Sequence, residues 1–223
     1  MSADAVVAKT GPVVAIDGPA GAGKSSLGRR LAEALGIAFL NTGAMYRSLA
    51  REALERGVNT SDATALAQLA GELRFSIDSE ASPPGLMVDG RPPGDDLASP
   101  DVESIVSAVA RHPAVRAVMR AEQRRLGAGG AVIEGRDIGT HVFPDADVKV
   151  FLHAEPGERA VRRQTERGTE NSALAEALSR RDAQDAKTNP LVPAPDAEVV
   201  NTTGRDLDDV FDEVVAMVRA ALS

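Results

Sequence analysis

The feature that most constrains this 223-residue chain is a hinge point near its start. The run Val13-Val14-Ala15-Ile16-Asp17 passes directly into Gly18-Pro19-Ala20-Gly21-Ala22-Gly23-Lys24-Ser25. The first five residues are mostly apolar and β-branched, which predicts a buried parallel strand. The next eight fit G-x-x-x-x-G-K-[ST] at every fixed position. From Ser26 on, Leu27, Leu31, Ala34 and Leu35 recur at helical spacing. A strand, a glycine loop and a helix in that order predict a polyphosphate site. The glycines let the backbone wrap the phosphates with its N–H groups inward, at the positive end of a helix. Lys24 then reaches the β- and γ-phosphates, and the Ser25 hydroxyl sits on Mg²⁺.

Alternating apolar runs and amphipathic stretches extend this start into an α/β fold with a mostly parallel sheet. Strands are expected at Val13–Asp17, Ala38–Leu40, Ala131–Glu134, Val148–His153 and Glu198–Asn201. Helices are expected at Lys24–Leu35, Gly43–Arg56, Asp62–Leu73, Val102–Arg111, Ala114–Leu126, Gly157–Gly168, Ser172–Gln184 and Asp206–Leu222. In the last of these Leu207, Val210, Phe211, Val214, Val215, Val218 and Leu222 fall on one face, and Asp206, Asp208 and Asp209 stand where the helix dipole favours negative charge. Residues 74–98 break the alternation with two short strand-like runs, Arg74–Asp78 and Leu86–Asp89, joined by a Pro/Ser-rich link. They read as a small β-element inserted between the second and third core strands. Glu166 to Ser172 is a second soft region.

Composition narrows the class. A net charge of −8 argues against a generally basic, nucleic-acid-coating surface. Cysteine is absent, which excludes disulfides and thiolate metal sites. Aromatic residues are 3% of the chain, so the core is expected to consist of Ala, Val, Leu and Ile. No apolar run reaches the length of a membrane span. Met1 to Gly11 lacks the character of a secretory signal and reads as a mobile tail, which leaves the cytoplasm as the expected compartment.

A phosphate loop alone serves kinases, GTPases and motors. None of Asn41, Asn59, Asn171, Asn189 and Asn201 is followed by Lys, so no Asn-Lys-x-Asp guanine-reading motif is present. Bringing two anionic substrates together requires guanidinium groups from several parts of the chain. Arg47 follows the second strand, Arg136 the third, and Arg159, Arg162, Arg163 and Arg167 lie along the helix before the soft region. Two blocks begin just past strand ends, on the side of a parallel sheet where ligands bind: Asn41-Thr42-Gly43-Ala44-Met45-Tyr46-Arg47 and Glu134-Gly135-Arg136-Asp137-Ile138-Gly139-Thr140. Both should converge with the phosphate loop on one cleft.

The segments IDGPAGAGKSS, NTGAMYR, SAVARHPAVR, EGRDIGTHVFPDADVKVFL and RRDAQDA, in this order and spacing, resemble those of the bacterial cytidylate kinases, a family of P-loop nucleoside-monophosphate kinases. The resemblance covers essentially the whole chain, and the run EGRDIGT-x-VFPDA is its most specific part. It implies a five-stranded parallel core flanked by helices (residues 12–58, 129–154 and 173–223). It also implies an inserted monophosphate-binding subdomain (59–128) and a lid (155–172) after a tail at 1–11. The implied reaction is ATP + CMP or dCMP → ADP + CDP or dCDP with Mg²⁺, in a monomer that uses neither nucleic acid nor membrane.

By the same resemblance Gly18, Pro19, Ala20, Gly21, Ala22, Gly23, Lys24, Ser25 and Ser26 form the ATP-phosphate loop, with Ser25 on the metal. Thr42, Tyr46 and Arg47 line the acceptor nucleotide. Ser107, Arg116 and Asp137 read the cytosine ring, and Arg136 holds the acceptor phosphate. Arg181 and Asp185 lie near the acceptor sugar and phosphate. Lys24, Arg136 and the lid arginines Arg159 and Arg163 are the expected catalytic groups. The base-reading assignment agrees with the chemistry. Cytosine offers an amine donor beside two acceptors, which suits a carboxylate and a guanidinium, whereas uracil would set a carbonyl against the carboxylate. Helix capping is the competing role for Asp137. The closest competing functions are a kinase for UMP or AMP, and a nucleotide-binding regulator without turnover.

The chain departs from the family pattern once. Asp185-Ala186-Lys187-Thr188-Asn189-Pro190-Leu191 lacks the arginine that usually follows the aspartate, Thr188 stands at its place, and the segment is about two residues short. Lys187 is the nearby cation, a point charge without the bidentate fork. It is expected to substitute in part, with Arg47 and Arg136 carrying more of the phosphate.

Overall fold

The computed structural model of the protein describes residues 11–167 and 191–223. Along the chain the elements are β1 (Val13–Asp17), α1 (Lys24–Leu35), β2 (Ala38–Asn41), α2 (Thr42–Glu55), α3 (Ala63–Glu72), β3 (Phe75–Asp78) and β4 (Gly85–Val88). There follow α4 (Pro100–Ala110), α5 (Pro113–Gly127), β5 (Ala131–Gly135), β6 (Val148–His153), α6 (Pro156–Arg167), β7 (Glu198–Asn201) and α7 (Leu207–Leu222). The helix expected over Ser172–Gln184 lies outside the described residues.

A strand apolar on both faces needs cover on both faces, and β1 has it. It pairs in parallel with β5 on one side and β6 on the other. Successive side chains point to opposite faces, so Val13 and Ala15 enter one core and Val14 and Ile16 the other. The neighbours divide likewise: Ala131 and Ile133 face the first core, Val132 the second. The first core is closed by α2 to α5 through residues such as Met45, Leu49, Leu66, Val106 and Met119. The second is closed by α1 and α7 through Leu27, Leu31, Val210, Val214 and Val218. Leu207 and Leu222, at the two ends of the α7 stripe, are exposed.

The sheet has seven strands in the order β3-β4-β2-β5-β1-β6-β7, rather than the five expected. The five parallel strands are those read from the sequence. The extra two are the antiparallel hairpin of β3 and β4, which joins the edge of β2 through the parallel pairing of Phe39 with Gly85. The inserted β-element therefore continues the core sheet.

Turn chemistry explains the helix boundaries. α4 starts at Pro100 behind Ser99, whose hydroxyl caps Val102, and α5 starts at Pro113. Proline fits the first helical position because its missing N–H would be unpaired there. Both helices thus begin one or two residues before their first apolar position. Asn41 caps α2 by accepting from Ala44 N at 2.8 Å, so that helix starts at Thr42, immediately after the strand.

Candidate active site

The sheet register sets the strand ends level. Asp17 of β1 lies opposite Gly135 of β5 and Phe151 of β6, and Asn41 of β2 lies opposite Glu134. The chain segments leaving these ends wall a single cleft. Lys24, Ser25 and Ser26 line it on one side, Thr42, Tyr46 and Arg47 on the next, and Ser107, Arg116, Arg136 and Asp137 opposite.

In the phosphate loop, Gly23 precedes α1 with φ +92, and the helix N-terminus has no side-chain cap. Its first N–H groups are therefore available to an anion. Ala20, Gly21 and Gly23 line the cleft, whereas Gly18, Pro19 and Ala22 are buried beneath it. Lys24 Nζ donates to the Pro19 carbonyl at 2.8 Å. Gly21 has φ +78, and a Cβ there would lie 2.7 Å from the Arg159 carbonyl, so glycine is required where α6 crosses the loop.

Ser25 and Glu134 form the second feature. The Ser25 hydroxyl lies 2.7 Å from Glu134 Oε1 and 3.0 Å from Oε2. Glu134 is buried, and its own carbonyl accepts from the Thr42 hydroxyl at 2.7 Å. Thr42, expected to line the acceptor nucleotide, thus uses its proton to join α2 to the end of β5. The Ser25 hydroxyl spends its proton on Glu134, which leaves oxygen lone pairs for a cation. A hydroxyl and a carboxylate are hard oxygen donors of the kind Mg²⁺ takes, with water and phosphate completing its shell. Among the described residues no group of three or more His, Cys, Asp or Glu is placed to hold a metal ion.

The third feature is a charged cluster facing the loop. Asp137 Oδ2 accepts from Arg116 Nη2 at 2.8 Å and from Arg120 Nε and Nη2 at 3.1 and 2.6 Å. Asp137 precedes the π-helical turn Ile138–Val142 but makes no side-chain cap there, so capping is not its role. His141 Nδ1 stands 3.8 Å from Asp137 Oδ2. Tyr46, beside this cluster, has its hydroxyl pKa pushed up to about 12, first by burial and further by Asp137, while Arg116 and Arg120 pull it down. It stays neutral.

Asp17 ties the two halves together. Its oxygens accept from Ile138 N and Gly139 N, each at 2.8 Å, so the end of β1 holds the turn that carries Arg136 and Asp137. Burial pushes its carboxyl up to about 6. The two backbone donors and Lys24 oppose that shift, and Asp137 adds to it.

Finally, α6 lies across the phosphate loop. Arg159 Nη1 donates to the Ala20 carbonyl at 3.0 Å and its Nε to Ala154 O at 3.1 Å. Arg162 donates to the Thr202 hydroxyl at 3.0 Å and to its carbonyl at 2.6 Å. The buried Thr202 hydroxyl also lies 3.2 Å from the carbonyl of Ala22. The turn after β7 thereby supports the loop from below. The side chain of Arg163, together with Arg181, Asp185 and Lys187, lies outside the described residues.

The sequence reading missed Glu134, Asp17 and Arg120 as site residues, and it offered Arg162 to the cleft only as one arginine of its helix. Glu134 and Asp17 carried one signal, an acidic residue closing a buried strand. Arg120 carried another, its position one helical turn beyond Arg116.

The family model for cytidylate kinase matches residues 14–220 of this chain. Over 224 residues the chain is 42% identical to a cytidylate kinase of Streptomyces griseus, and the match covers 98% of this chain and 97% of that one. The chain belongs to the cytidylate kinase family. A cytidylate kinase of Pelotomaculum thermopropionicum is 41% identical over 94% of this chain and 96% of its own. A bifunctional pantoate ligase/cytidylate kinase of Synechococcus sp. (strain JA-3-3Ab) is 44% identical over 95% of this chain. This family member spans 41% of that longer protein's length.

Proposed function

We propose that the protein transfers the γ-phosphoryl group of ATP to CMP or dCMP, giving ADP and CDP or dCDP, with Mg²⁺. The observation that carries this reading is the single cleft in which an uncapped phosphate loop faces the Asp137–Arg116 pair. A kinase for this acceptor needs both, separated by the length of the acceptor nucleotide, and water kept away from the phosphoryl group.

The donor phosphates take the N–H groups of the loop and Lys24, which turns from the Pro19 carbonyl towards them. Ser25, bonded to Glu134, would hold Mg²⁺, which would supply charge neutralisation at the donor phosphates. Arg47 and Arg136 stand on the acceptor side for its phosphate, with Lys187 completing that set. Asp137 accepts from the exocyclic amine of cytosine while Arg116 donates to its ring acceptors, with Ser107 beside it. Arg181 and Asp185 contact the acceptor sugar and phosphate. Arg159 and Arg163, from the lid at 155–172, neutralise the transferring group, and no covalent enzyme intermediate forms. The subdomain at 59–128 supplies the base-reading helices to the core at 12–58, 129–154 and 173–223.

No helix of the described residues is long and apolar enough to cross a membrane. The protein acts as a cytoplasmic monomer in this reading. An ADP-release assay with CMP, dCMP, UMP and AMP tests it: CMP or dCMP should be preferred. Equal or better use of UMP or AMP, or no turnover with any of them, would overturn it.

A further inference from the structure

Arg116 and Asp137 are both assigned to the base, and they also bond to each other. When cytosine arrives, Arg116 must turn at least part of its fork from the carboxylate to the ring acceptors. That would leave a buried carboxylate short of counter-charge at the moment the base excludes water from it, which is costly.

Arg120 removes the difficulty. It lies one turn beyond Arg116 on α5, so the two guanidiniums project to the same side. Like charges at this spacing repel, a local disadvantage that a shared anion offsets. Arg120 supplies two of the three N–H groups on Asp137 Oδ2, and the three side chains are largely buried, with relative exposures of 13% (Arg116), 23% (Arg120) and 12% (Asp137). All the contacts from both arginines fall on Oδ2, so Oδ1 is the oxygen that can face the amine.

We infer that Arg120 is a positioning residue for base selection. It keeps Asp137 paired and oriented when Arg116 transfers to the cytosine ring, so that one arginine reads the base while the other holds the carboxylate. The inference rests on the acceptor assignment proposed above. Arg120 itself touches no substrate. His141 from the following turn, Tyr46 from α2 and Asp17 from β1 also lie near Asp137, and none of them donates two N–H groups to it.

The test compares kcat and KM for CMP, UMP and ATP in the wild type, Arg120→Met, Arg120→Lys, Asp137→Asn and the double variant Arg120→Met/Asp137→Asn. Loss of a charge-assisted pair should raise KM for CMP by roughly tenfold or more. The KM for ATP should stay unchanged, kcat should fall much less, and the preference for CMP over UMP should shrink. Arg120→Lys keeps the charge without the fork and should recover most of the loss. In the Asp137→Asn background, removing Arg120 should add little, because its partner is already neutral. A lower thermal midpoint with an unchanged KM for CMP would make Arg120 merely structural and overturn the inference. So would an equal loss in both backgrounds. These outcomes are separate from failure of the acceptor assignment. In that case the wild type itself would not favour CMP, and both conclusions would fall together.

Discussion

Ser25 and Glu134, from the phosphate loop and the neighbouring core strand, are joined by a hydroxyl–carboxylate bond of 2.7 Å. A buried carboxylate against the loop hydroxyl fixes that side chain and places a negative charge where a divalent cation can use it. Glu134→Gln keeps the shape and removes the charge. It should lower kcat on the order of tenfold or more and raise the Mg²⁺ concentration needed for half-maximal rate, with little change in KM for CMP. A Mg²⁺ dependence like that of the wild type would confine Glu134 to a structural role.

Gly135 follows Glu134 and leaves no room for a side chain. A Cβ there would lie 2.6 Å from Ile138 Cδ1 and 2.8 Å from Thr42 Oγ1. Gly135→Ala must push the Asp137 turn away from α2. It should cost about 1–3 kcal/mol of stability as overpacking. In the folded protein it should also raise KM for CMP, because the turn carries Arg136 and Asp137. Thermal midpoint and acceptor kinetics measured together check this. A variant equal to the wild type in both would show that the turn relaxes freely.

Asp17 gives a pH dependence whose sign can be worked out. Its carboxyl is raised from 3.8 to about 6 by burial. The folded state therefore binds the proton more tightly than the unfolded state. The stability linked to this group is fully present below 3.8 and is lost as the pH rises through about 6. Relative to Asp17→Asn, which does not titrate, the wild type should lose stability between pH 4 and pH 6 and change little beyond pH 7. Urea denaturation of both proteins across that range measures the difference. A difference that grows with pH would mean that the N–H groups of Ile138 and Gly139 outweigh burial.

Tyr46 is the single tyrosine of a chain without tryptophan, and it lines the cleft beside Arg116 and Asp137. Its fluorescence should respond to CMP and not to ATP alone. Its absorbance titration should fall near pH 12 in the native protein and nearer the ordinary tyrosine value of 10 once unfolded. A signal that follows ATP but ignores CMP would remove Tyr46 from the acceptor side.

The parallel core was legible because Val13–Asp17, Ala131–Gly135 and Val148–His153 are short apolar runs, the pattern that burial on both faces demands. The phosphate loop was legible because its glycines, lysine and hydroxyl serve local geometry. The seven-stranded count was not. β4 joins the core through the pairing of Phe39 with Gly85, and edge pairing of that kind depends on how the hairpin settles in three dimensions. The partners of Glu134, Asp17 and Arg162 were hidden for a related reason. Each contact joins residues far apart in sequence, and nothing in the identity of Thr202 announces that a guanidinium will rest on it. Arg120 was the exception, since its spacing from Arg116 stood in the open.

Lys24 rests on the Pro19 carbonyl of its own loop. In the function proposed above, the donor phosphates would draw Lys24 away from a partner that stays close at hand. For Lys24, binding would be an exchange of partners, a neutral carbonyl given up for charged phosphate oxygens. The same carbonyl would be at hand to take the lysine back after transfer. A loop that competes with its own ligand trades tightness for traffic, and traffic is what repeated turnover requires.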